Sequence, residues 1–325
     1  MKPIGWIIAT LAFAVLITDG VGHAETYPSR VIRLILPQPA GGAVDLIARS
    51  IAQSFSQSLG QPVIVENMPG ANGGIAAERV ARSDPDGYTL MVAVDSNLVV
   101  NPSLYASLAY DPFRDFVPIS IIAGVHLVLV ANPNVPANSV GELIAYAKAH
   151  PNKLNYAGIG LGTAQHMGME LFKRVTKTQI NLVEYRGTSQ AMADVLSGTV
   201  DVMLTGPPSA QELSKGGKLK LLGVTGPSRL PQMPDVPTLA EAGVPGYEIQ
   251  SWFGLLAPAK TPKPILDLLS QQVKKAVAEP QFVDRMQAQG LNIIGSTPEQ
   301  MMQRMQDDTK KWKTLIDDAG LKIEQ

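Results

Sequence analysis

The residues best suited to chemistry here are glycines, and what they offer is main chain. Pro37-Gln38-Pro39-Ala40-Gly41-Gly42 follows an apolar run, Val31 to Leu36, interrupted only by Arg33. It precedes Ile47, Ile51, Phe55 and Leu59, which recur every four residues as one face of a helix. Gly158-Ile159-Gly160-Leu161-Gly162-Thr163 stands in the same relation to a second strand, Leu154 to Ala157, and a second helix, Thr163 to Val175. The first-turn amides of a helix have no partner inside it and sit at the positive end of its dipole. Glycine removes the side chain that would keep an anion away from them. A hydrogen bond to a charged partner contributes roughly 1.5–3 kcal/mol, so two such corners facing each other would hold a carboxylate without arginine. The alternative is that these glycines only turn the chain between strand and helix.

Nearby side chains read in two ways each. Asp45 lies in the first helical turn, where the dipole stabilises a carboxylate; it does only that, or it orients the loop amides or meets a ligand amine. His166, in the first turn of the second helix, donates to a ligand or merely caps. Arg186, in Glu184-Tyr185-Arg186-Gly187-Thr188, is either a two-pronged carboxylate clasp or a solvated arginine. Trp252 and Phe253 read as packing between lobes. Met301 and Met305, one helical turn apart, read as packing within a helix.

Catalytic patterns do not assemble. Gly158, Gly160 and Gly162 are spaced GxGxG, which breaks the nucleotide-binding pattern at Thr163, and there is no GxxxxGK[ST]. Gly187-Thr188-Ser189-Gln190-Ala191 loosely imitates a nucleophile elbow, but His126, His150 and His166 all precede Ser189, whereas the hydrolase order puts histidine last. The absence of cysteine excludes disulfides, thiolate zinc sites and thiol nucleophiles. A binding protein with no catalytic residue, no metal and no cofactor is expected, with a serine hydrolase using Ser189 as the weaker alternative.

The elements that must position these corners alternate strand, loop and helix. Further strands are expected at Val63 to Val65, Tyr88 to Val94, Ile180 to Glu184 and Val200 to Leu204, and helices at Ile75 to Arg82 and Ser189 to Leu196. This is an α/β pattern with right-handed crossovers. Two stretches read as crossings between lobes: Phe116 to Val130, around Gly124, and Leu219 to Thr225, which enters a proline-rich segment. They divide the chain into one lobe of residues 25–124 plus 226–325 and a second of residues 125–225. At 45% hydrophobic and 17% charged, the chain has material for a core. Its 27 basic and 28 acidic residues give a net charge of −1, which argues against nucleic acid as a partner. Lys2, the apolar run from Ile4 to Ile17 and Gly22-His23-Ala24 have the layout of a secretory signal over residues 1–24. The run is too short to span a bilayer, so a free exported protein beginning near Glu25 is expected.

Several blocks, ordinary singly and specific in this order, carry a family likeness. They are PQPAGGAVD from Pro37 with Ala48-Arg49; GQPVIVEN from Gly60 with Pro69-Gly70-Ala71; DPDGYTL from Asp84; NPSLY from Asn101; Tyr110-Asp111-Pro112 with Asp115-Phe116; Gly160 to Thr163 with His166; Tyr185-Arg186-Gly187; and PDVPTLAEAG from Pro234. Over essentially the whole mature chain the sequence resembles the Bug-type solute-binding proteins, periplasmic receptors of tripartite tricarboxylate transporters. The resemblance implies a two-lobed Venus-flytrap fold with two crossing segments, closing on a small carboxylate (a dicarboxylate or an aromatic acid) without cofactor. It implies that the carboxylate is pinched between Ala40-Gly41-Gly42 and Gly160-Leu161-Gly162-Thr163, partly through water, with Ser96-Asn97 at the cleft and the loop Tyr185, Arg186, Gly187 and Thr188 opposite. Gln38 replaces a frequent aromatic, Ala43-Val44 a proline or glycine then serine or threonine, and Gly158 a common serine. These departures bear on which ligand is held rather than on how. The implied partners are the ligand and membrane transporter subunits, the implied location is the periplasm, and a monomer is expected. Docking on a sensor kinase is the alternative outlet for the same ligand.

Overall fold

The structure, a computed structural model, describes residues 27–323; the signal segment lies outside them. In chain order, β1 (Ile32–Leu36) leads to α1 (Ala43–Leu59), β2 (Val63–Asn67) to α2 (Gly74–Ala81), and β3 (Thr89–Val94) to a π-helical turn (Ser96–Val100) and α3 (Asn101–Leu104). β4 (Phe116–Val125) and β5 (Val128–Ala131) follow in close succession. Next come α4 (Val140–Ala149), β6 (Asn155–Ile159), α5 (Ala164–Thr176), β7 (Asn181–Tyr185), α6 (Thr188–Ser197), β8 (Val202–Thr205), α7 (Pro207–Lys215) and β9 (Lys220–Val224). A long irregular segment reaches β10 (Ser251–Pro258), then α8 (Lys263–Ala276), α9 (Pro280–Ala288), β11 (Asn292–Ile293) and α10 (Pro298–Ala319).

The strands form two sheets, ordered β11-β4-β10-β3-β1-β2 and β7-β6-β8-β5-β9. β1 runs parallel to β2 and β3, and β6 runs parallel to β7 and β8, so their carboxyl ends share one edge in each sheet. Ligand crevices of open α/β sheets lie outside that edge. The chain passes between sheets twice, from β4 to β5 and from β9 to β10. Parallel strands covered on both faces read as unbroken apolar runs. β1 shows this, with Ile32, Leu34, Ile35 and Leu36 fully buried and only Arg33 turned out, to an ion pair with Glu66. α1 buries Ile47, Ile51 and Phe55 and stops at Gly60, whose φ of 68° is the left-handed cap that glycine adopts without a Cβ penalty.

α10 starts from a capping box between Thr297 and Gln300 and buries Met301, Met305, Trp312, Leu315 and Ile316. It packs on β4, the π-helical turn and α3, and reaches across to α5, where Arg174 pairs with Asp318. Residues after β9, assigned above to the first lobe, make contacts with the second sheet instead. Leu230, Met233 and Val236 join its core, and the Leu239 amide donates to the Val224 carbonyl at 2.9 Å. The reason is that β9 still offers backbone groups beyond its strand partner, and Thr238 bridges to Val224. Trp252 and Phe253 are buried within β10, as packing residues. Among the described residues no helix is long and apolar enough to cross a membrane.

Phe55 is the anchor that seats α1, and with it the first glycine corner, on the first sheet. Phe55→Ala is expected to lower the free energy of unfolding by about 3–5 kcal/mol, read from urea denaturation of the full chain.

Candidate functional site

The first corner joins β1 to α1. Gly41 has φ 92°, a conformation that costs glycine nothing. Gly42 is the N-cap of α1 and offers no side-chain cap. A Cβ at Gly41 would meet nothing within 4 Å, and one at Gly42 only the Gln38 Oε1 at 3.8 Å, so the corner is open and the Gln38 side chain lies over it. Ala40, Gly41 and Gly42 are exposed. Asp45 ties the corner to its helix: its Oδ2 accepts from the Gly41 amide at 3.1 Å and from Arg49 Nε at 2.9 Å. Asp45 Oδ1 accepts from Asn67 Nδ2 at 3.1 Å, and Asn67 also donates to the Gln38 carbonyl at 2.9 Å. The Arg49 hydrogen bond, with those of Gly41 and Asn67, holds the Asp45 carboxyl below the usual carboxylate range despite its burial. The Gly41 bond fits the reading in which Asp45 orients the loop amides.

The second corner, between β6 and α5, repeats the device. The Gly162 amide donates to His166 Nδ1 at 3.2 Å, as the Gly41 amide donates to Asp45. In both corners the third helical residue accepts from the amide just before the N-cap. Thr163 caps α5, accepting from the His166 amide, and its hydroxyl donates to the Gly160 carbonyl at 2.9 Å. The Gly160 amide donates to the Tyr185 carbonyl at 3.1 Å. An Nδ1 that accepts is unprotonated, and burial holds the His166 pKa below the ordinary imidazole value. His166 Nε2 is buried without a hydrogen-bond partner.

These bonds change the inventory of free donors. The amides of Gly41, Gly160 and Gly162 are engaged within the protein. The first-turn amides that follow, of Ala43 and Val44 on α1 and of Ala164 and Gln165 on α5, have no partner within their helices. The glycines thus shape the corners, and the helix ends supply the donors.

The corners are linked through a third turn, residues 70–73, after β2. A Cβ at Gly73 would collide with the Asn97 side chain and lie 2.7 Å from Pro37 Cβ, which places this turn against the first corner. Asn72 Nδ2 donates to the Leu161 carbonyl of the second corner at 3.3 Å. A Cβ at Gly162 would stand 2.7 Å from Leu104 Cδ2, 3.3 Å from Asn72 Nδ2 and 3.4 Å from Val100 Cγ1. Gly162 is therefore bare because the first lobe closes on it. Asn97 is committed: its Oδ1 accepts from the Val94 amide and its Nδ2 donates to the Asn72 carbonyl. Ser96 beside it is buried.

On the far side, the Tyr185 ring turns into the second lobe and its hydroxyl donates to Asp194 at 2.6 Å; burial and Asp194 push its pKa up to about 12. Tyr185 serves the site through its carbonyl. Arg186 and Thr188 are exposed, and a Cβ at Gly187 would meet nothing within 4 Å. Ser189 is exposed, and the histidines bond elsewhere: His126 to the Ile249 carbonyl, His150 to the Tyr146 carbonyl, His166 to Gly162.

Sequence reasoning passed over Asn72 and Asp95. Asn72 sits in a run of turn formers, Gly70-Ala71-Asn72-Gly73-Gly74, and asparagine is among the few residues that tolerate left-handed backbone, which was the available signal. Asp95 directly follows β3 and is buried. It accepts from Ser251 Oγ at 2.8 Å, and Ser251 pairs with Val125, so both lobe crossings meet beside it. Behind it, Asp308 accepts from Trp252 Nε1 at 2.8 Å and from Arg304 Nε at 2.7 Å. Burial pushes the Asp95 carboxyl up to about 7, with the Asp308 charge adding to the shift and Ser251, the Ser96 amide and Arg304 opposing it.

The chain thus has two α/β lobes joined by two crossings, each with a glycine turn that leads from a strand into a helix N-terminus. Residues 47–321 match the family model described as tripartite tricarboxylate transporter family receptor. Protein BugT of Bordetella pertussis is 36% identical over 324 residues, 99% of this chain and 98% of BugT. Among solved structures, R. palustris Rpa4515 with adipate is 34% identical, with a TM-score of 0.81 over 90% of this chain and 98% of that one. MatC from Rhodopseudomonas palustris with bound malate is 32% identical, with a TM-score of 0.78 over 89% of this chain and 100% of that one. The chain belongs to the tripartite tricarboxylate transporter receptor family. It has that family's two-lobed fold and is a binding receptor, not an enzyme.

An enclosed carboxyl with a raised pKa favours the native state while protonated in it. That advantage is lost as pH rises from about 4 to about 7. Asp95→Asn keeps an acceptor for Ser251 and is expected to flatten this fall, measured as melting temperature from pH 5 to pH 8.

Proposed function

We propose that this chain is a periplasmic receptor that takes a small carboxylate, a dicarboxylate or an aromatic acid, between its lobes and delivers it to the membrane subunits of a tripartite transporter. The observation that carries the reading is the corner built twice. In each lobe a glycine turn, braced by a side chain of its own helix, presents a helix N-terminus. Such ends attract anions. Relatives solved with adipate and malate support a carboxylate as the ligand, and the secretory layout of residues 1–24 supports export.

In this reading Ala40, Gly41 and Gly42 admit the carboxylate to the amides of α1. Gly160, Gly162 and Thr163 bring those of α5 to its other side. Asp45 and His166 hold the two turns in shape. Gln38 meets the uncharged part of the ligand, Ser96 and Asn97 floor the crevice, and Tyr185 fixes Gly160. Arg186, with Gly187 and Thr188, faces a second acidic group. Contacts from both lobes raise the closed population when ligand is bound.

Gly42→Val tests the reading cleanly, because φ −87° and ψ 178° suit any residue and no atom but Gln38 Oε1 lies near. Calorimetric titration of unfolded and refolded protein with adipate, malate and benzoate is expected to show binding of at least one. Gly42→Val is expected to weaken it by roughly 10–150-fold, the worth of one hydrogen bond to a charged group, with little change in melting temperature. Binding of none of a broad carboxylate panel, or unaltered binding by the variant, would overturn it. Arg186→Ala is expected to weaken diacids and leave monoacids unchanged in the same titration.

A further inference from the structure

Asn72 occupies a backbone conformation that a side chain resists, φ 44° and ψ 43°, directly after Ala71 at φ 46°. Such residues persist where their surroundings over-determine them, and they gather at clamps and switches. The surroundings here include two asparagines and a tyrosine of the first lobe. The Asn72 carbonyl accepts from Asn97 Nδ2 at 2.7 Å and from Asn101 Nδ2 at 3.0 Å. Asn72 Nδ2 donates to Asn101 Oδ1 at 2.7 Å. Tyr110, beneath them, donates to the Asn97 carbonyl at 2.6 Å and accepts from Asn101 at 3.3 Å. Asn97, Asn101 and Tyr110 are buried.

This scaffold aims one amide group at the second lobe. Asn72 Nδ2 also reaches the Leu161 carbonyl, an acceptor only, which settles which end of the asparagine faces it. The next atom of the same peptide unit, the Gly162 nitrogen, donates to His166 of the second lobe. One peptide plane is therefore gripped at its oxygen by the first lobe and at its nitrogen by the second. Gly162, at φ 81°, leaves that plane free to rotate when either grip is absent. The plane lies one peptide before Thr163, the N-cap of α5, so its orientation shapes the loop in front of those amides.

We propose that Asn72 is a positioning residue that couples lobe closure to the ordering of the second anion corner: the Leu161–Gly162 peptide reaches its ligand-ready orientation when the first lobe docks on it. The proposal rests on the receptor reading above for the ligand, but the coupling between lobes is measurable without one.

Asn72→Gly is the informative variant, because glycine adopts the same backbone without strain while the amide is deleted. Asn72→Asp keeps shape and left-handed tolerance but sets a carboxylate against the Leu161 carbonyl. The chain has no cysteine, so spin labels on Gln57→Cys and Ala193→Cys, exposed positions on α1 and α6, report the lobe separation by pulsed EPR in the full chain. Without ligand, both variants are expected to gain a longer-distance population that the parent lacks, and Asn72→Gly also to melt somewhat lower, because the buried Asn101 Oδ1 loses its donor. With adipate or malate, Asn72→Gly is expected to bind roughly 2–12-fold more weakly, the range of one net hydrogen bond. Identical distance distributions in parent and variants would overturn the proposal, as would weaker binding with no change in distance. Should neither acid bind the parent while the distances still shift, the choice of ligand falls and the coupling stands.

Discussion

Every helix begins with amides that its own backbone cannot satisfy, and this fold is organised around where those donors go. At α1 and α5 the residue before the cap is given to a side chain one turn further on, Asp45 or His166, and the next amides are left without helical partners. A carboxylate does this at one corner and an imidazole at the other. Both must be acceptors, so both must be unprotonated: Arg49 keeps Asp45 charged, and burial keeps His166 neutral. The two lobes thus use different chemistry to reach one geometry. The parallel strands bring each of these helices to the carboxyl edge of its own sheet.

Much of the fold was legible because its signals are local. The runs at Val31 to Leu36 and Leu154 to Ala157, the four-residue recurrence along α1, and the left-handed stop at Gly60 each follow from residues close in sequence, although β6 carries on through Gly158 to Ile159. The irregular segment after β9 was not legible. Its prolines forbid regular structure but do not say which sheet it covers, and that is decided by long-range pairs such as Leu239 with Val224. A strand edge with unused backbone groups leaves no mark in the sequence of the segment that fills it.

The site divides along the same line. That glycines sit where strand becomes helix could be read directly, as could the nearness of Asp45 and His166 to those turns. What each glycine is for could not. Gly41 and Gly42 are bare beside open space, whereas Gly162 is bare because Leu104 and Val100 of the other lobe press on it. Tyr185, read as a ligand contact, spends its hydroxyl on Asp194 and its carbonyl accepts from the Gly160 amide. Asn72 was not legible because its carbonyl is held by Asn97 and Asn101, which lie beyond β3 in the π-helical turn and α3.

The ion pair between Arg174 on α5 and Asp318 on α10 spans the two lobes, and both side chains remain about half in water, at 42% and 50% exposure. Pairs so hydrated contribute little net stability and are weakened by salt. A hinge whose outer rim is fastened by such a pair has a stop that costs little to leave. The pair lets the lobes meet in a set register there while adding little resistance to their parting.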